Sequence, residues 1–204
     1  METGVIIETP AIVCAVRPHG EHGVIARLMT PDHGLMAGYV RGGRSRAMRP
    51  VLMQANLVTG TFRSRVPGQL GSLSVELVQS RAPLLSEPLA ALALEWCCSL
   101  TAFALPDDHP YPVIFQSLDA VLLAIESGDM VRDWAGALAA YELLLLRSLG
   151  FGGGRPDLPK DWPQIFAALN LSGAQMGRHI FQGRMSDILA ARERLLERLK
   201  RAVA

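Results

Sequence analysis

The first 80 or so residues contain no stretch of helical periodicity, and that restricts the possible folds more than any motif in the chain. Short apolar runs recur instead: Val5–Ile7, Ala11–Val16, Val24–Met29, Leu35–Val40, Leu57–Phe62 and Leu73–Val78. Turn-forming residues separate them, as in His19-Gly20, Asp32-His33-Gly34 and Pro67-Gly68. Leu73-Ser-Val75-Glu-Leu77 alternates as a half-buried strand does. A parallel sheet needs crossover connections of roughly a dozen residues or more, usually helical, and none is available. Five or six short strands at this spacing favour a small closed barrel or a sandwich, and a compact β-barrel is the expectation.

The texture changes at Pro83. Ser86-Glu87-Pro88 reads as a helix start with a Ser cap, an acid in the first turn and an early Pro. That helix is expected to run through Leu92, Trp96 and Leu100 to near Pro106. A second is expected from about Pro112 to Gly128, burying Ile114, Leu118, Val121, Leu122 and Ile125. A third spans about Met130 to Leu149. A glycine-rich joint follows at residues 150–156. Asp161 then caps a fourth helix through Leu169, a short fifth covers Ala174–Phe181, and a last one starts near Ser186. On that last helix Ile188, Leu195, Leu196 and Leu199 share a face, with Arg192, Arg194, Arg198 and Arg201 around the rest. Trp96, Trp134 and Trp162 read as core. The class is α+β, with a barrel over 1–82 and a helical domain over 83–204.

Half of the 204 residues are hydrophobic, so the chain has material for a packed core and is not globally disordered. The opening METGVIIETP has no basic segment ahead of an apolar one, unlike a secretory signal. The most apolar stretch, Ala135–Leu146, holds Glu142 and falls short of the roughly 20 residues that span a bilayer. A cytoplasmic protein without membrane contact is expected. Cys14, Cys97 and Cys98 form neither a disulfide framework nor a zinc spacing, and read as small buried hydrophobes.

The net charge of +1 conceals an asymmetry. Lys plus Arg against Asp plus Glu runs 9 to 5 over residues 1–83, 2 to 9 over 84–150 and 9 to 5 over 151–204. No acidic residue lies between Asp32 and Glu76, an interval that holds Arg41, Arg44, Arg46, Arg49, Arg63 and Arg65. The first four sit on a Gly-rich loop between strands. Guanidinium forks match phosphate oxygens, and a cationic barrel is one way to hold single-stranded nucleic acid. A plain solvated loop is the alternative, but like charges with no acid nearby repel one another unless an anion covers them. Aromatic residues for base stacking are few in this half, Tyr39 and Phe62, so the grip is expected to fall on phosphates.

Other constellations carry little. His19-Gly-Glu21-His22 lacks a third metal ligand and reads as a polar turn. Arg41-Gly-Gly-Arg-Ser-Arg46 is not a phosphate loop of the GxxxxGK[ST] kind. No nucleophile elbow is present, and neither a cofactor nor a catalytic residue is expected.

Several strings together resemble the bacterial RecO family. They are Arg17-Pro-His-Gly-Glu-His22, Leu28-Met-Thr-Pro-Asp-His-Gly34, Gly38-Tyr-Val-Arg-Gly-Gly-Arg-Ser-Arg46, Arg49-Pro-Val-Leu52, Gln54-Ala-Asn-Leu-Val58 and Leu70-Gly-Ser-Leu-Ser-Val-Glu-Leu-Val78, then Tyr141-Glu-Leu-Leu-Leu-Leu-Arg-Ser-Leu-Gly-Phe151. The resemblance implies an OB-fold barrel joined to a helical domain, and a non-enzymatic DNA repair and recombination mediator. Such a protein binds single- and double-stranded DNA, anneals complementary strands and helps RecA load onto DNA coated with single-stranded DNA-binding protein. The implied partners are DNA, RecR, the C-terminal tail of single-stranded DNA-binding protein and, indirectly, RecA, at the nucleoid. Many relatives insert a four-cysteine zinc lobe after the Leu-Gly-Phe turn. Here Gly152-Gly-Gly-Arg-Pro follows at once, so no metal is expected.

The DNA-binding set is accordingly Arg41, Arg44, Arg46, Arg49, Arg63 and Arg65, with Arg27 and Arg81. Arg132, Arg147 and Phe151 are candidates for partner binding by the helical domain. An OB-type RNA-binding protein is the alternative function, because phosphates do not declare their sugar. A small enzyme with an unrecognised site is the third.

Overall fold

The computed structural model describes residues 5–64, 69–128, 130–153, 157–181 and 186–203, without the side chains of residues 186 and 187. The first two apolar runs are one strand, β1 (Val5–His19). Pro10 obscures this in the sequence. It sits where β1 has one partner only: Val5–Ile12 pairs with β4 (Leu57–Ser64), and Ile12–His19 with β2 (Gly23–Thr30). A residue without an N–H is tolerated on a strand flank that carries no ladder. A bulge between Val13 and Ala15 marks the change of partner.

With β3 (Gly34–Val40) and β5 (Gly71–Gln79) the strands close in the order β1-β2-β3-β5-β4, an OB-fold barrel. The closing pair, β3 with β5, is parallel and short, holding only Gly38↔Gly71 and Tyr39↔Ser72. Val13, Leu28, Met36, Val58, Phe62 and Leu73 fill the interior, each burial contributing roughly 1.5–3 kcal/mol. The loop from β3 to β4 adds to this core, with Leu52 inside it and Met48 and Val51 packed on it.

The chain divides into two compact units, Met1–Glu87 with Cys98–Pro112, and Pro88–Cys97 with Val113–Ala204. The division falls inside helix α1 (Pro88–Ala104). Its N-cap is Glu87, without a side-chain cap bond, and not the expected Ser86. Ser86 ends a preceding 3-10 turn, and its hydroxyl donates backwards to the Pro83 carbonyl at 2.7 Å. The cysteines are unbridged and buried; burial, reinforced by the neighbouring Cys98 thiol, raises the Cys14 pKa and keeps it protonated.

In the second unit α2 (Pro112–Ser127) buries the five residues its periodicity marks. Helix α3 is Val131–Ser148. Asp161 caps α4, accepting from the Gln164 N–H at 2.8 Å. Two expectations fail here. Helix α4 runs unbroken from Trp162 to His179 instead of as two pieces. Arg192, on α5 (Ser186–Ala202), is buried and not at the surface. One contact explains both. Fully buried Glu142 accepts from Trp96 Nε1 (2.7 Å), Arg192 Nε (3.0 Å) and Arg192 Nη2 (2.8 Å), and from the Ser172 hydroxyl. Gly173 does not break α4; it makes room for that guanidinium, since a Cβ there would stand 2.5 Å from Arg192 Nη1. Trp96 and Trp134 are core, whereas Trp162 is half-buried and stacks on Phe166. No described helix is long and apolar enough to cross a membrane.

Candidate nucleic-acid interface

The basic loop between β3 and β4 is fastened at its far end. Asn56 is buried, and its Nδ2 donates to the carbonyls of Pro50 (2.7 Å) and Val51 (3.1 Å). Its Oδ1 accepts from the Arg81 N–H at 3.0 Å. Ala55 has a φ of +69°, left-handed backbone that costs an L-residue roughly 1–2 kcal/mol. Its N–H donates to the Val13 carbonyl (2.9 Å), and its carbonyl accepts from Arg81 Nη1 (2.5 Å). Arg81 is 2% exposed, so its guanidinium holds the loop in place and is not offered to solvent.

Ahead of this anchor the loop is a series of tight turns. The Ser45 N–H donates to the Gly42 carbonyl (2.9 Å), and the Met48 and Arg49 N–H groups donate to the Ser45 carbonyl (3.2 and 3.1 Å). Arg41, Arg44, Arg46 and Arg49 are all left exposed. Arg44 ties the loop to the β1–β2 turn, its N–H donating to the His22 carbonyl (3.3 Å) and its Nη1 to the Glu21 carbonyl (3.0 Å). Arg49 Nε donates to the Arg44 carbonyl at 3.1 Å. These acceptors are backbone oxygens; among the described residues none of the four arginines meets a carboxylate. Their charges are therefore uncompensated within the described protein.

Arg63 is exposed on β4. Its Nη1 donates to the Ser74 hydroxyl at 3.4 Å, and Ser74 lines a groove of about 410 Å³ together with Arg41, Tyr39 and Met48. Arg65 is outside the described residues. Arg27 is placed differently: Nε lies 3.2 Å from Asp107 Oδ1, and Nη1 donates to the Ala102 carbonyl. Its charge already has a counter-ion. Of the two aromatics considered for stacking, Phe62 is in the core. Tyr39 is half-exposed, on the outer side of a strand whose neighbours Gly38 and Val40 are buried. Strand alternation over Gly38-Tyr39-Val40 is the sequence signal that separates the two.

In the helical unit Arg132 and Arg147 stand in the first and last turns of α3, about 22 Å apart along the axis at 1.5 Å per residue. Arg132 Nε is 3.7 Å from Asp133. Arg147 is exposed and sits beside Phe151, whose N–H donates to the Leu146 carbonyl and whose ring stacks on His179 with centroids 4.8 Å apart. Arg147 and Phe151 are brought together, and Arg132 is not. Of the glycine-rich joint, residues 154–156 lie outside the described set.

Two family models match the chain: Recombination protein O N terminal over residues 1–81 and Recombination protein O C terminal over residues 85–157. Among curated relatives, the DNA repair protein RecO of Rhodospirillum centenum is 31% identical over 238 aligned positions that cover 94% of each chain. Those positions exceed the 204 residues here, so that relative carries segments without a counterpart. The protein of that name from Gluconacetobacter diazotrophicus is 40% identical, over 71% of this chain and 58% of the relative. The one from a Ruegeria species is 42% identical, over 69% of this chain and 58% of the relative. In these last two the match spans little more than half of the relative's length.

Proposed function

Because this chain belongs to the RecO family, we propose that it is a DNA repair protein that acts as a recombination mediator, with the DNA path on the rim of its barrel. The observation that carries this reading is the loop of four exposed arginines, 41, 44, 46 and 49, fastened by backbone contacts and matched by no carboxylate among the described residues. Such a loop is a preformed counter-surface for phosphates, and Arg63 donates to Ser74 on the wall of the adjoining groove. Phosphate contacts position a strand without reading its sequence. Bases held in this way keep their edges free, which annealing of complementary strands requires.

The path leaves out Arg27 and Arg81, whose guanidinium groups are engaged inside the barrel unit. It includes double-stranded as well as single-stranded DNA, since both present the same phosphates. The helical unit is then the surface for protein partners. Arg147 beside Phe151 offers a cation and an apolar ring to the acidic C-terminal tail of single-stranded DNA-binding protein. RecR is the other direct partner in this reading, and RecA the beneficiary. The reaction is assembly, with no bond made or broken.

The test is single-stranded DNA binding across a salt series, for the wild type beside Arg44, Arg46 and Arg49 all changed to Ala. Each lost phosphate contact flattens the slope of log K against log salt by about 0.7, so the triple variant is expected to flatten it by about two units. Its unfolding midpoint should stay close to that of the wild type. An unchanged slope with binding intact moves the path off this loop. If a matched RNA oligomer binds while DNA does not at low salt, the DNA reading fails.

A further inference from the structure

We propose that Tyr39, braced by His19, stacks an unpaired nucleobase, making the seam between β3 and β5 a base-holding step in the nucleic-acid path. The proposal deepens the DNA reading above and rests on it. The seam is open because the two strands pair through only two positions. A groove of about 480 Å³ lies at one end, with His19, Gly20 and Leu70 among its walls, and the 410 Å³ groove containing Arg41 lies at the other. Both are walled by Tyr39 and Ser72, so they meet at that pair.

The barrel's interior does not require this tyrosine. Gly38 and Val40 face inward, and alternation turns Tyr39 to the outer side. There the ring is held before any ligand arrives. It lies against Gly23, where a Cβ would be 2.3 Å from Tyr39 Cε2, so a side chain at 23 would displace it. His19 meets it edge-on, with centroids 5.9 Å apart and planes at 76°. A half-exposed, immobilised ring gives a base a π-face at little cost in ordering.

The surrounding charge selects the ligand. Arg41 is the first residue after β3, two positions from Tyr39 and therefore at most about 7 Å away along the backbone, so a base on Tyr39 brings a flanking phosphate within its reach. Stacking occupies the face of a base and leaves its pairing edge open, so such a hold is compatible with annealing. Bases inside a duplex are already stacked on their neighbours, which makes single strands the ligand of this step.

The test uses the full chain with three probes: a homothymidine oligomer, an abasic oligomer of equal length, and a duplex. The wild type should prefer the base-bearing strand to the abasic one. Tyr39→Ala should weaken homothymidine binding roughly 5- to 150-fold, abolish that preference, and leave duplex binding and the salt slope unchanged, while Tyr39→Phe keeps the wild-type behaviour. Independently of any variant's folding, an iodouracil-bearing oligomer irradiated on the wild type should crosslink at Tyr39. If the wild type shows no preference for bases, or crosslinks elsewhere, while the arginine variants still flatten the salt slope, the platform is wrong and the phosphate path stands. Absence of DNA binding by the wild type removes both.

Discussion

Arginine does opposite work in two regions of this molecule. On the loop after β3, Arg41, Arg44, Arg46 and Arg49 are exposed, Arg44 and Arg49 donate to backbone carbonyls, and none of the four meets a carboxylate among the described residues. Among the helices, Arg192 is sealed in with Glu142, and its guanidinium also donates to the Leu169 carbonyl and lies 5.8 Å over the Trp96 ring. A charge that the fold satisfies is part of the fold. One that the fold leaves unmatched is available to something outside it. Arg81 carries the first kind of chemistry into the barrel itself, next to a loop made of the second.

The sharpest way to break this contrast is to remove the internal partner. Arg192→Ala leaves buried Glu142 with the Trp96 and Ser172 donors alone among the described residues, and should cost about 3–5 kcal/mol in urea unfolding. Replacing both partners by apolar residues, Glu142→Met with Arg192→Leu, should recover part of that loss, the remainder being the buried Trp96 N–H left without its acceptor. Neither change should alter the salt slope of DNA binding. A loss below about 1 kcal/mol for Arg192→Ala would mean that the pair behaves as a solvated one, and the comparison would lose its second term.

Arg81→Ala sharpens the boundary within the barrel. It removes the donor to the Ala55 carbonyl and opens a void beside buried Asn56. The expected loss is about 2–4 kcal/mol, from the unsatisfied carbonyl and the cavity together. The protein that remains folded should bind DNA with an unaltered salt slope. A slope flattened by about 0.7 with stability untouched would instead place Arg81 among the phosphate-binding residues.

What could be read from the chain in advance divides along the same line. Helix α2 was legible because its buried face is written in one local period, Ile114 to Ile125. The barrel was legible as far as short alternating runs without crossover helices narrow the choice to a barrel or a sandwich, and the closure itself shows in the pairing of β3 with β5. Strand β1 read as two because Pro10 interrupts its pattern, and only the offset of its two partners shows why that is tolerated. Helix α4 read as two pieces, through Leu169 and from Ala174, and the glycine between them, Gly173, makes room for a guanidinium from another helix. Arg192 and Arg81 could not be told from surface arginines, since Glu142 is 50 positions from the first and Ala55 is 26 from the second. Local periodicity reports which face is buried. It does not report which charge will find a partner.

The smallest expected effect tests whether the loop's anchor stores strain. Ala55 is fully buried with φ at +69°. Ala55→Gly should relieve roughly 1–2 kcal/mol of left-handed strain. Against that stand glycine's greater freedom in the unfolded chain, roughly 0.5–1 kcal/mol, and the loss of a buried methyl, about 0.8 kcal/mol. The three terms leave the variant within about 0.8 kcal/mol of the wild type by urea unfolding. The same replacement at an unstrained buried alanine carries only the two unfavourable terms and should cost more than 1 kcal/mol, so near-neutrality is itself the sign of strain. In an Arg81→Ala background the loop can relax away from the left-handed geometry, and glycine should then become unfavourable. That shift from near-neutral to unfavourable would couple the buried arginine to the backbone that presents the exposed ones; additive effects would uncouple them.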